Sequence, residues 1–205
     1  MKRDGIAEPR SSGATPGAPG PGEIHVWRIA LPERDGREAA RAALGEILAG
    51  YLGRGEAARA ADPGGKPRLA AAPERLSFNL SHGGGLALVA VGAGGTEVGV
   101  DVERLRPRRD LARLAARWLP AEDAAAVAAA TSDEERERLF YAAWTRHEAR
   151  VKCAGTGLAG PAPGPEVVAY QLEIDPGYAA AVAISGGAEG GAAPRILLRD
   201  ASGRG

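Results

Sequence analysis

Two short stretches of this chain place acids at spacings that suit chemistry. In "GVDVE", Gly99 to Glu103, the residue types alternate. On a β-strand Asp101 and Glu103 stand at i and i+2, so both carboxylates point to one side. Val100 and Val102 point to the other, into a core. Two carboxylates a few ångströms apart repel unless a cation lies between them or one keeps a proton. The spacing suits a hard divalent ion such as Mg2+, which takes carboxylates, waters and phosphate oxygens. A solvated strand end explains the same spacing and, on spacing alone, is the better-founded reading.

The second stretch is "WTRHEARVK", Trp144 to Lys152. On a helix Trp144, Glu148 and Lys152 fall at i, i+4 and i+8, along one stripe. Glu148 stands among Arg146, His147, Arg150 and Lys152. A third acid would close a metal site from across the fold, and its cationic neighbours would hold phosphates. Phosphoryl transfer needs that mixture, because charge spread over phosphate oxygens must be met by metal and cations. The plain alternative is a charged helix face with i,i+4 pairs worth about 0.2–0.5 kcal/mol each. Trp144 reads better as a core residue of that helix than as a ligand contact.

A third piece is "NLSHGGG", where His82 follows a strand and precedes a Gly-rich turn. Its ring and the turn's N–H groups could meet a phosphate. Ser81 and His82 are adjacent, but neighbours in sequence rarely make a nucleophile–base pair, and no G-x-S-x-G elbow is present. Cys153 reads as a small buried helix residue.

The elements that must position these groups follow from periodicity. "IHVWRIAL", "LSFNLSH", "LALVAVGA" and "TEVGVDVE" read as strands, the last two joined by "GAGG" as a hairpin. "RDGREAARAALGEILAGY" gathers Ala40, Leu44, Ile47 and Leu48 on one helical face. The longest helical pattern runs from Ser132, with a Ser132/Glu135 capping box, to a stop at Gly155. "VVAYQLEI" and "YAAAVAIS" flank "DPG" as a second hairpin. Residues 1–22 are rich in Gly, Pro and Ser and read as disordered, and residues 186–205 as a loose tail in which "RILLR" could add an edge strand. Strands and helices in this mixed order predict an α+β fold.

Composition narrows the class. Lys plus Arg and Asp plus Glu both number 26, so there is no basic excess of the kind a general nucleic-acid binder carries. One cysteine excludes a disulfide framework and fits a reducing compartment. No apolar run reaches the roughly 20 residues of a membrane span. The expectation is a cytoplasmic protein.

Taken in order, "GKP" (Gly65–Pro67), "FNLSH" (Phe78–His82), "GVDVE" (Gly99–Glu103) and "FYAAWTRHEARVKCAGTGL" (Phe140–Leu158) resemble the Sfp-type 4'-phosphopantetheinyl transferases. The resemblance implies two similar α+β halves, a pseudo-dimer with the active site in the cleft between them; residues 23–103 and 104–185 would be the halves. It implies transfer of the phosphopantetheine arm of coenzyme A to a serine of an acyl or peptidyl carrier protein, leaving 3',5'-ADP. Carried over by motif, Asp101, Glu103 and Glu148 would ligate Mg2+ (or Mn2+). Glu148 would also accept the serine proton, and Lys152 would neutralise phosphate and protonate the leaving group. Ser81 and His82 would bind on the phosphate side, Lys66 and Pro67 on the adenine side, and Arg41 at the ribose 3'-phosphate. The length fits the larger, monomeric type, which by analogy favours broad or secondary-metabolic carriers such as those of polyketide or peptide synthesis, with fatty-acid synthesis also open.

Three positions depart from the pattern. His147 stands where relatives carry lysine, and an imidazole is charged only in part near neutrality. Lysines that relatives place before the first helix have no counterpart, with Arg34 and Arg37 as substitutes. Thr156 replaces a basic residue. These departures motivate an alternative, a non-catalytic module that binds coenzyme A or a carrier; retention of all three acids and Lys152 favours the enzyme.

Overall fold

The computed structural model describes residues 7–12, 17–52, 59–61, 67–69, 76–157, 159–186 and 193–201. In chain order these form β1 (Ala7–Ser12), β2 (Glu23–Ala30), α1 (Gly36–Leu52), β3 (Arg59–Ala61), β4 (Pro67–Leu69), β5 (Ser77–Gly83) and β6 (Leu86–Gly92). Then come β7 (Glu97–Arg104), α2 (Leu111–Trp118), α3 (Ala121–Ala129), α4 (Asp133–Ala154), β8 (Val168–Leu172), β9 (Tyr178–Ser185) and β10 (Arg195–Asp200).

The larger sheet runs β1-β10-β2-β6-β5 and the smaller one β7-β9-β8, with β3 and β4 a separate short ladder. Each main sheet contains one unit of the same kind. A first strand leads through helix to a hairpin, and the hairpin's second strand pairs antiparallel with the first: β2-β6-β5 and β7-β9-β8. This is the expected α+β class with two alike units.

Alternation on the strands builds three layers of apolar contact. Ile24, Val26, Leu86, Leu88, Val98, Val100, Val102 and Val182 fill the space between the sheets. The opposite face of the larger sheet, with Trp27, Ile29, Phe78, Val89 and Val91, is covered by α1 through Ala40, Leu44, Ile47 and Leu48, the face its periodicity predicts. The opposite face of the smaller sheet is small: Ala181 and Ala183 lie under Ala149 and Cys153 of α4.

That small face lets α4 sit close. A Cβ on Gly99 would lie 2.2 Å from the Ala149 carbonyl oxygen and 2.3 Å from the Cys153 nitrogen, so only glycine fits where β7 touches the helix backbone. The helix itself is capped as expected at its start, where the Ser132 side chain accepts from the Glu135 N–H at 3.1 Å. Glu135 answers to Thr131 rather than Ser132, taking its N–H and hydroxyl at 2.8 and 2.9 Å. Gly155 closes the helix in the left-handed region at φ 70°.

Three expectations are corrected. β6 and β7 are not a hairpin: β6 pairs with β2 and β5, and β7 with β9. The Gly94–Gly95 turn, at φ 65° and 83°, carries the chain from one sheet to the other, so two apolar strands stack instead of pairing. Residues 186–205 are not wholly a loose tail. β10 lies between β1 and β2, because Ile196 and Leu198 alternate into the inter-sheet core, fully or nearly buried. Arg28 further ties the Asp200 carboxylate at the end of β10, at 3.3 Å, and Asp175 in the β8–β9 turn. Residues 1–22 likewise include a strand, β1, paired parallel to β10.

Overpacking against a backbone that cannot yield costs about 1–3 kcal/mol. Gly99→Ala is therefore expected to lower stability by that order, seen as a lower urea midpoint at an unchanged m-value; an unchanged midpoint would show that α4 does not rest on β7 in this way.

Candidate active site

The contact at Gly99 sets everything above it. Along β7, Gly99, Asp101 and Glu103 share the face under α4, while Val98, Val100 and Val102 face the inter-sheet core. Along α4, Ala149 and Cys153 meet Gly99, which brings the parallel stripe Trp144, Glu148 and Lys152 over the two strand acids. The strand spacing and the helix spacing thus meet in one place.

Asp101 is 3% exposed. Its Oδ1 accepts from the Lys152 ammonium at 2.6 Å and from the Ser81 hydroxyl at 2.8 Å. Lys152 also donates to Ser81 Oγ at 3.0 Å, closing a triangle. Asp101 Oδ2 is buried and has no hydrogen-bond partner. Beside it, burial pushes the Glu103 carboxyl above the ordinary carboxylate range; Asp101 adds to the shift, and Lys152, Arg106 and a hydrogen bond from Trp144 oppose it. Burial raises Glu148 too, opposed by Lys152 and reinforced by Asp101 and Glu103. Three carboxylates and one ammonium are therefore neighbours in a half-buried site with an excess of negative charge.

Trp144 serves two purposes. Its ring stacks on Phe140, with centroids 5.9 Å apart and planes 13° from parallel, as a core residue should. Its indole also lies on the Glu103 side and favours that carboxyl's ionised form, which a purely apolar reading of the helix stripe misses.

The other cations of the helix are engaged elsewhere. Arg146 binds Asp123 of α3 at 2.8 Å and Gln171 of β8 at 3.2 Å. Arg150 donates to the carbonyls of Pro163 and Gly164, both at 3.0 Å. The idea that all of Glu148's cationic neighbours hold phosphate is corrected: these two arginines brace α4. The His147 ring lies tilted against Trp144, with centroids 6.2 Å apart, and burial, then Arg150, pushes its imidazole below the usual value of 6.5. Its charged form is disfavoured there.

The remaining candidates stand apart. His82 alternates with Ser81 and is exposed on the α1 side of the sheet, with Phe78 and Leu80. Arg41 is exposed on α1 itself. Lys66 lies outside the described residues, and Pro67 opens β4. Cys153 is buried, as expected, and its thiol donates to the Glu97 carbonyl at 3.4 Å.

Sequence reasoning missed a polar ladder. Ser77, Asn79 and Ser81 all point inward from β5 and are buried. Ser77 donates to the Thr96 carbonyl at 2.5 Å, Asn79 accepts from the Val100 N–H at 3.0 Å, and Ser81 meets Asp101. Alternating polar residues read as a solvated face; here they stitch the edge of one sheet to β7 of the other. The turn after Ser81 is held down as well. A Cβ on Gly83 would lie 2.9 Å from the Val102 carbonyl and 3.8 Å from Glu103 Oε2, and Tyr178 donates to the Gly84 carbonyl at 2.5 Å. The Gly-rich turn therefore borders the acids.

Among the described residues no three acid, histidine or cysteine side chains form a closed ion cage as they stand. The donor set nonetheless fits a hard cation: an orphaned, buried Asp101 oxygen beside two carboxyls whose ionisation is held back by burial and by each other. Among the described residues no helix is long and apolar enough to cross a membrane.

This constellation, two strand acids under a helix acid and lysine, is the arrangement of a polar group-transfer site, and comparison with known proteins gives its family. Residues 97–183 match the model of the 4'-phosphopantetheinyl transferase superfamily. The chain is 40% identical over 170 residues to the 4'-phosphopantetheinyl transferase HetI of Nostoc sp., covering 67% of this chain and 70% of HetI. It is 43% identical over 93 residues to the 4'-phosphopantetheinyl transferase AcpT of Escherichia coli, covering 44% of this chain and 45% of AcpT. A putative 4'-phosphopantetheinyl transferase of Synechocystis sp. matches at 33% over 99 residues, 48% of this chain and 39% of its own length. The chain belongs to the 4'-phosphopantetheinyl transferase superfamily and is an enzyme of that kind.

A carboxyl whose folded pKa lies above its unfolded value of about 4.5 binds its proton more tightly in the fold, so stability falls as pH rises through that range. Glu148→Gln is expected to raise Tm near neutral pH in the presence of a chelator, with the gain vanishing below pH 4.5. A lower Tm across the whole range would contradict the crowding of charge described above.

Proposed function

We propose that this enzyme transfers the 4'-phosphopantetheine arm of coenzyme A to a serine hydroxyl of an apo acyl or peptidyl carrier protein, releasing 3',5'-ADP. The observation that carries this reading is the orphaned, buried Asp101 Oδ2 among Glu103, Glu148 and Lys152. Asp101, Glu103 and Glu148 would hold Mg2+, or Mn2+ in its place. When bound, the ion offsets the charge of the diphosphate and orients it.

The chain's own residues supply the rest. A serine hydroxyl is a poor nucleophile near neutrality and needs a base. Glu148, with its basicity raised by burial, accepts the serine proton. The serine oxygen bonds to the phosphorus that carries the pantetheine arm. The bond from that phosphorus to the bridging diphosphate oxygen breaks, and the electron pair leaves with 3',5'-ADP. Lys152, held over the site by Asp101 and Ser81, donates to the leaving phosphate. The Gly83–Gly85 turn beside Glu103 offers backbone N–H groups to the diphosphate. By motif, Arg41, exposed on α1, would serve the ribose 3'-phosphate, His82, exposed on the same side of the sheet, would contact phosphate, and Lys66 and Pro67 would serve the adenine side. The enzyme acts in the cytoplasm as a monomer.

Mass spectrometry tests the reading. An apo-carrier incubated with coenzyme A and Mg2+ should gain one phosphopantetheine on its serine, and Asp101→Ala or Glu148→Ala should abolish the gain. A mass shift that survives either substitution would overturn the assignment. His147 adds a second test: burial disfavours its charged form, so His147→Lys, which brings a full charge, should lower KM for coenzyme A near neutral pH. An unchanged KM would place His147 away from the phosphates.

A further inference from the structure

Ser81 sits at the join of the two sheets, 6% exposed, with its one hydroxyl proton committed. An ammonium only donates, so Ser81 Oγ accepts from Lys152 at 3.0 Å. Its single proton goes to Asp101 Oδ1 at 2.8 Å, where Lys152 donates as well at 2.6 Å. Two donors on Oδ1 fix the rotation of the carboxylate. Oδ2 is left buried and without a partner. The hydroxyl then has no proton left to give to a phosphate, which is the part the family resemblance assigns to this position.

The backbone that holds Ser81 is itself fixed. Its main chain lies in the β5–β6 ladder opposite Leu88. Two residues earlier Asn79 Oδ1 is held by the Val100 N–H, one residue before Asp101. Ser77 anchors the far end of the same inward row on the Thr96 carbonyl. The row sets β5 against β7 in register, and Ser81 is its terminal contact.

We infer that Ser81 is a positioning residue: its hydroxyl orients Asp101 so that Oδ2 faces the cation site, and it holds the Lys152 ammonium beside it. This rests on the metal assignment proposed above. It differs from a phosphate contact in what it predicts. Loss of the hydroxyl should act on the ion first and on coenzyme A only through it. Partners that orient a metal ligand typically change metal affinity by about 10–100-fold when removed.

The test is Mn2+ binding in the presence of coenzyme A, read by the electron paramagnetic resonance signal of free Mn2+, with Tm measured on each variant. Ser81→Ala, and Ser81→Cys, which is similar in volume but a weak donor, should each weaken Mn2+ by about tenfold or more. Ser81→Thr, which keeps the hydroxyl, should bind Mn2+ as the parent does. Asp101→Asn is the control for the underlying reading. If Asp101→Asn loses Mn2+ while Ser81→Ala and Ser81→Cys keep it, the role of Ser81 is wrong and the metal assignment stands. If Ser81→Ala raises KM for coenzyme A at unchanged Mn2+ affinity, Ser81 is a phosphate contact and the inference is overturned. If Asp101→Asn itself leaves Mn2+ unaffected, both fall together.

Discussion

The bare backbone of β7 at Gly99 is where α4 lands, and the site depends on that landing. Nothing larger than hydrogen fits between Gly99 and the backbone of Ala149 and Cys153. Ala181 and Ala183 on the neighbouring strand keep the rest of the surface low. Close approach of this kind is set by hard-core repulsion, so it is rigid. Once it is made, helix periodicity and strand periodicity do the remaining work. Lys152 reaches Asp101 and Trp144 lies on the Glu103 side, with Glu148 between them, because each lies one turn or two residues further on.

The price of that closeness is electrostatic. Burial and mutual repulsion disfavour ionised Glu103 and Glu148, and a single ammonium offsets only part of the charge. A fold selected for stability alone would not gather these groups. Ion pairs elsewhere match one cation to one acid: Arg146 meets Asp123, and Arg136 meets Asp133. Under the proposed function a bound cation would offset the imbalance at the site, which concentrates where the two alike units meet.

Much of this was legible in the residues, for reasons that can be stated. Alternation in "GVDVE" put two acids on one side of a strand, and the i,i+4 stripe put an acid and a lysine on one side of a helix; both are local periodicities. Gly99 was visible only as part of a motif, since its reason is a tertiary contact. "GAGG" fits a hairpin or a crossover between sheets equally well, so the pairing of β6 was misjudged. Ser77, Asn79 and Ser81 alternate with apolar residues, and alternation cannot distinguish a face turned to water from one turned to another sheet. Arg146 and Arg150 looked like phosphate ligands because their real partners, Asp123 and the 163–164 carbonyls, are distant in sequence. β10 was obscured by its Gly/Ala-rich approach.

The most direct test of the account is an anomalous diffraction map from crystals grown with Mn2+ and coenzyme A. The account predicts one Mn2+ peak shared by Asp101, Glu103 and Glu148, with the diphosphate on its open side. A peak away from these carboxylates, or a diphosphate bound by cations alone with Asp101 Oδ2 still unpartnered, would contradict it.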